Sequence, residues 1–278
     1  MALFHVRFAA VVLAALPLAA QSKAPVRPFG TARAQAALQQ QWLEKRMTTI
    51  LPVVMRKYGV DMWVVPMREY NEDPLFTSLV SPTTFAARRR TIYVFFDTGT
   101  AVERIALGGG PQGGVYTPVF ATKTVGGRSA ELWGDQQWTS LKEVIEKRDP
   151  KRIAIDKSRI PAFADGLSSG EFEGMSEALG PQWTTRFAPA EDMAVELIAT
   201  RLPEEETFYA KLTAEVWSMI EEMFSSRTIT PGVTRTSDLV WWWRQRLTDR
   251  GLGTWFHPSV SVQRKGATAE ALDEDPII

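Results

Sequence analysis

A chain of 278 residues, 45% of them hydrophobic, can bury one large core or two modest ones, so one or two globular domains are expected. Thirty-two basic residues balance thirty-two acidic ones, which leaves no whole-chain field for a phosphate backbone or an anionic lipid surface and argues against nucleic acid as a partner. With no Cys, there is no disulfide framework, no thiolate nucleophile and no Cys-ligated metal.

The chain opens MALFHVRFAAVVLAALPLAAQSKA, with a basic start at Arg7, an apolar run from Phe8 to Ala20 and small residues before Gln21. That order predicts a secretory signal peptide over 1–20. The run is shorter than the roughly 20 residues of a membrane span, and Pro17 interrupts it. The expectation is an exported protein, secreted or periplasmic, with no integral membrane segment once the signal is removed. Leu18 occupies a position where a small residue is usual, so the cut after Ala20 is not fixed. Loss of His5 with the signal would leave His257 as the single imidazole, which excludes a multi-His zinc site and allows a His-based triad one base at most.

From Arg33 to Lys57, apolar residues Leu38, Trp42, Met47, Ile50 and Val54 recur at helical spacing and predict one helix or two, with Pro52 kinking the first or starting the second. Gly59 closes it, and MWVVPM (62–67) is the first strand. Residues 68–87 read as a long loop with room for a short helical turn. TIYVFFD (91–97), ERIALGGG (103–110) and a stretch from Tyr116 read as strands. A helix over 137–147, the strand RIAID (152–156), a helix over 171–179 and a last strand in TTRFAP follow. This alternation predicts an α/β domain over residues 30–188.

After Pro189 the composition changes. Helix AEDMAVELIAT precedes a long helix started by Pro203 and Glu204, Glu205 and Glu206, carrying Phe208, Leu212, Val216, Met219, Ile220 and Phe224 as one apolar stripe. TPGVTRTSD breaks the chain, Thr234 or Thr236 caps the next helix, and that helix runs through Leu247 to end near Gly251 and Gly253.

Candidate chemistry is sparse. GGGPQGG (108–114) lacks a Lys-Ser/Thr end and dinucleotide-type glycine spacing, and Pro111 removes an amide, so it reads as a turn and not a phosphate cradle. Arg88, Arg89 and Arg90 are either a solvated edge or an anion site. Trp241, Trp242 and Trp243 point about 100 degrees apart on a helix and form no flat stacking platform; they read as scaffold between helices. Glu204–Glu206 suit a helix dipole and Asp273, Glu274 and Asp275 a surface turn, neither a metal site. His257, in TWFHPSVSVQR before an expected strand, is either a surface residue or a substrate contact.

The order of elements resembles a known family. An α/β region is followed by a Pro-Glu helix start, a long amphipathic helix, an I-x-PG-x-T turn (Ile229, Pro231, Gly232, Thr234), another helix and F-x-PSVSVQR. Together with YGVDMWVVPMREYNEDPLF and RRRTIYVFFD, it is similar to the creatinase and Xaa-Pro aminopeptidase family. The resemblance implies an α/β fold: a creatinase-type N-terminal domain with a mixed sheet over 30–188, then the first helices of an incomplete pita-bread α+β domain over 189–278. It further implies a homo-oligomer, small peptides as substrates, and two divalent metal ions held by two Asp, one His and two Glu in the complete family member. Those ligands would follow a stretch like the final DPII, so none is assigned here: the expectation is no catalytic residue, no metal ligand and no cofactor in this chain, His257 as the substrate-binding candidate, and a truncated, inactive peptidase. The alternative is a non-catalytic binding or oligomerisation module.

Overall fold

The computed structural model describes residues 27–120, 124–125, 128–129, 134–263, 265–266 and 274–278; the expected signal peptide at 1–20 lies outside them. These residues fall into two compact units, one of Phe29–Ser218, the other of Met219–Ile278 together with the start of the described chain.

In the larger unit the helical N-terminal pattern resolves into α1 (Ala32–Lys45), a π-helical turn (Arg46–Ile50) and α2 (Leu51–Lys57). Pro52 stands at the start of α2. Its missing N–H removes one rung of the regular ladder, and the widened turn just upstream absorbs the mismatch. Strand β1 (Met62–Arg68) and the four-residue α3 (Phe76–Leu79) follow, then β2 (Arg90–Asp97), β3 (Val102–Leu107) and β4 (Thr117–Val119). A separate two-stranded ribbon pairs β5 (Thr124–Val125) with β6 (Arg128–Ser129). After α4 (Asp135–Arg148) come β7 (Ile153–Ile155), α5 (Ser169–Leu179), the short α6 (Pro181–Thr184), β8 (Phe187–Pro189) and α7 (Glu191–Ala199). Helix α8 (Pro203–Met223) precedes α9 (Thr236–Arg250).

The architecture is mixed α/β around a six-stranded sheet of order β4-β3-β2-β1-β7-β8. β1–β2 and β2–β3 are antiparallel, whereas β3–β4, β1–β7 and β7–β8 are parallel. Alternate residues of the central strands enter different cores, as the two-residue period of a strand requires. Trp63, Val65, Tyr93, Phe95 and Ala106 join Met47, Leu51, Leu75, Leu79, Met193 and Leu197 on one face. Met62, Val64, Ile92, Val94, Ile105 and Ile153 join Trp138, Leu141, Ile145, Met175 and Leu179 on the other. Burial on both faces explains why MWVVP and IYVFF read as unbroken apolar runs, and each such side chain contributes roughly 1.5–3 kcal/mol by leaving water. Pro66 is tolerated in a central strand because β7 pairs only with Met62, Trp63 and Val64, so no partner strand seeks the missing amide hydrogen.

In the smaller unit Met219, Met223, Leu239 and Leu247 are buried. The stripe predicted on α8 is only partly realised: Phe208, in the larger unit, packs against Trp42 and Phe29, while Phe224 is exposed. Neither threonine caps α9. Arg235 is the N-cap, and Asp238 reaches back to accept its amide at 2.8 Å. Gly251 ends the helix in the left-handed region at φ 67°, which a side chain would disfavour. The expected strand after His257 is absent from 257–263, where the chain is irregular and exposed positions alternate with half-buried ones; no residue there is fully buried to fix a sheet register.

Candidate functional site

His257 is exposed in the irregular segment after α9. Its neighbours Trp255 (89% exposed) and Phe256 (76%) are also exposed, and Thr254 donates its hydroxyl to the Phe256 carbonyl at 2.5 Å. Arg264 lies outside the described residues. On the Trp helix Leu239 and Leu247 are buried, whereas Trp241 is 64% exposed and does not fill the space between helices expected of it. Arg244 lies over the Trp241 ring at 4.6 Å and Arg246 over Trp242 at 5.3 Å, the geometry of cation–π contacts. Arg246 also pairs with Glu222.

The arginine run is neither of the two expected things at Arg90. Its guanidinium forks onto Glu171 at 2.5 and 3.0 Å, donates to the Gly134 carbonyl at 3.1 Å and stacks 4.4 Å from the Trp138 ring. Glu171 is buried on α5, so this pair fastens β2 to the helical layer. The glycine loop is a turn pinned by one side chain. Gln112 accepts from the Ser81 amide at 2.9 Å and the Thr84 hydroxyl at 2.7 Å, and donates to the Tyr93 hydroxyl at 3.3 Å.

Glu205 does more than complement a helix dipole. Both its oxygens accept from Arg46 Nη2, at 2.9 and 3.1 Å, and Oε2 also accepts the Leu202 amide at 2.7 Å. Arg46 Nη1 donates to the carbonyls of Leu197 and Thr200 at 2.8 and 2.6 Å. The first residue of the π turn thereby satisfies the open end of α7, whose last carbonyls have no partner within the helix. Arg46 and Glu205 form part of the wall of a cleft of about 520 Å³ shared with Trp42, Thr77, Ser78 and Arg201. The cleft holds hydroxyls and a closed ion pair but no nucleophile set against a base.

Asp275, expected in a solvated turn, is structural. Its carboxylate accepts the Ser237 amide at 2.9 Å, the Ser237 hydroxyl at 2.8 Å and the Thr236 hydroxyl at 3.0 Å. These hydrogen bonds, the Ser237 amide first, lower its carboxyl below the ordinary 3.8. Beside it Arg235 bridges Ile277, the Gly232 amide donates to the Ile278 carbonyl at 2.7 Å, and the Ile278 amide donates to the Thr234 carbonyl at 2.9 Å. The PG-x-T turn and the DPII segment thus meet at the head of α9.

Among the described residues, no group of three or more His, Cys, Asp or Glu side chains is placed to hold a metal ion. Two divalent ions find no donor set among them. No described helix is long and apolar enough to cross a membrane.

No family model matches the chain, and no curated protein does. Among solved structures it is similar to a Xaa-Pro dipeptidase from Bacillus anthracis, at 12% identity and a TM-score of 0.43, over 74% of this chain and 49% of that one. The chain therefore spans about half the length of that protein, and a likeness at this level assigns no residue a role.

Proposed function

We propose that the chain is the N-terminal portion of an exported Xaa-Pro aminopeptidase-like metallopeptidase that hydrolyses small peptides, and that its own part is to build scaffold and oligomer, not to carry out the chemistry. What supports this reading is the meeting of Gly232–Ser237 with Asp275–Ile278, because the sequence resemblance rests partly on these two segments, which lie about forty residues apart. The mixed sheet layered by helices on both faces is compatible with a creatinase-type N-terminal domain over 30–188, and the helices after 189 with the start of a pita-bread domain. His257, exposed and without competing structural bonds among those described, is the side chain we assign to substrate contact in the complete protein. The two metal ions would draw their ligands from residues other than those described here.

The test is an assay of the purified 278-residue chain against Xaa-Pro peptides with Mn²⁺, Co²⁺ or Zn²⁺, alongside calorimetric titration of each ion. Neither N-terminal residue release nor stoichiometric metal binding is expected; metal-dependent release would overturn the assignment of the chemistry elsewhere. A second reading, a binding or oligomerisation module without catalysis, is favoured by the adjacent exposed Trp255 and Phe256, since contiguous exposed apolar surface marks contact sites. It predicts a folded, soluble oligomer with little hydrophobic-dye binding, whereas strong dye binding and aggregation would speak for a portion of a larger domain.

A further inference from the structure

Two acidic side chains in the larger unit are buried with no cation paired to them among the described residues. Asp73, immediately before the turn at 74–75 that leads into α3, is 2% exposed, and Asp156, the residue after β7, is fully buried. Each has one satisfied oxygen: Asp73 Oδ1 accepts the Leu75 amide at 2.8 Å, and Asp156 Oδ1 accepts the Trp63 indole N–H at 2.8 Å. The Oδ2 atom of each is enclosed with no donor among the described residues; the 166–167 segment touches both, Gly166 against Asp73 and the Leu167 amide donating to the Asp156 carbonyl at 2.9 Å, and the two carboxyls act on each other as neighbours. Gly166 seals the pocket so closely that a Cβ there would stand 2.0 Å from Asp73 Oδ2. Ionised carboxylates only accept hydrogen bonds, so two of them face to face would leave both Oδ2 atoms orphaned and repelling. One proton between them satisfies both.

We propose that Asp73 and Asp156 share a single proton at neutral pH and act as a pH-sensitive latch, tying the turn ahead of α3 to the end of β7. Among the described residues, the other charged groups nearby do not supply a cation. Asp165, in the segment packed against the pair, adds negative charge and is occupied by the Ser158 amide at 3.0 Å. Lys157, next to Asp156, lies 3.5 Å over the Phe172 ring. From β1 the pair meets the Trp63 indole, and from the α3 turn the Leu75 amide. The latched segment continues into Thr77, Ser78, Val80 and Ser81, which line the 520 Å³ cleft, so loss of the proton loosens a wall of that cleft.

Burial lifts Asp73 from 3.8 to about 6, and burial followed by repulsion from Asp73 lifts Asp156 well above 3.8. Both values exceed those of the unfolded chain, so the folded state binds more protons. The stabilisation is complete below about pH 4, begins to fall as the pair gives up its first proton near pH 6, and is lost as the shared proton leaves at higher pH.

The test compares the wild-type chain with Asp156→Asn, whose amide donates to Asp73 at every pH while its carbonyl still accepts from Trp63. Urea unfolding between about pH 5 and about pH 9 should show the wild-type unfolding constant rising relative to the variant, up to tenfold per pH unit for each proton given up. Amide exchange over 70–80 should quicken with pH, beyond its intrinsic rate, in the wild type only. Parallel stability profiles for the two proteins would overturn the latch. Should Asp156→Asn fail to fold, infrared spectroscopy of the wild type at pH 7 decides: a buried protonated-carboxyl carbonyl stretch is expected, and its absence refutes the shared proton.

Discussion

Replacing Arg46 by Met keeps an unbranched apolar stem and removes the guanidinium fork. Arg46 is 8% exposed and donates to Leu197 O, Thr200 O and both oxygens of Glu205. The substitution strands two carbonyls at the end of α7 and leaves Glu205 with the Leu202 amide as its described donor. Removing one partner of a buried pair costs about 3–5 kcal/mol, chiefly by leaving the other charge uncompensated. The paired side chains are 10% and 12% exposed, so screening trims this only to the lower end, about 3 kcal/mol. At a urea dependence of about 2–3 kcal/mol per molar for a unit of this size, the midpoint should fall by about 1 M. Arg46→Lys, a point charge without the fork, should lie between. Removing both charges, as in Arg46→Met with Glu205→Met, should recover part of the loss, because the stranded carboxylate is gone while the α7 carbonyls stay unmet. A double-mutant cycle in urea measures each step. If Arg46→Met lies within about 0.5 kcal/mol of wild type, the range of an unremarkable surface change, the account of the α7–α8 junction is wrong.

Gly166→Ala should destabilise the larger unit by about 1–3 kcal/mol, since its Cβ would collide with Asp73 and with Pro74 Cδ at 2.7 Å; calorimetry reads the drop, and an unchanged Tm would show that the turn yields freely. Trp63→Phe removes the indole donor to Asp156 while keeping most of the ring, and should cost about 1–3 kcal/mol from the unmet buried oxygen, measured by urea unfolding near pH 6. Asp275→Ala should speed amide exchange in the first turn of α9. Because hydrogen bonding lowers the Asp275 carboxyl, its contribution is present above the unfolded value of 3.8 and is lost as pH falls through the lower folded one; equal exchange in the two proteins would contradict its capping role. His257→Ala should leave stability within about 0.5 kcal/mol of wild type, so any effect on peptide turnover in a longer chain would report substrate contact and not folding.

Much of the larger unit is legible in the sequence because its strands are buried on both faces and its helices carry Gly, Pro and polar punctuation. β1, β2, β7 and α5 fall within a residue or two of their apolar patterns. The π turn was not readable, since Arg46–Ile50 carries the same spacing as a regular helix and only Pro52 hints at the mismatch. Arg46, Arg90 and Glu205 look like solvated charges along the chain; their partners stand 151, 81 and 159 residues away, and only the fold reveals them. The same distance hides the acid pair. RIAID shows an aspartate ending an apolar run, and DP an aspartate in a turn, yet nothing local says that the two meet. The irregular segment around His257 failed for the opposite reason: its alternating residues mimic a strand, but no sheet edge is offered to it among the described residues.

Sequencing the coding DNA beyond the Ile278 codon tests the central claim most directly. The account predicts an open frame that runs into a Gly-Asp turn and then presents two Asp, one His and two Glu at intervals. A confirmed stop codon immediately after Ile278 would contradict it, and would shift the assignment to the binding or oligomerisation module.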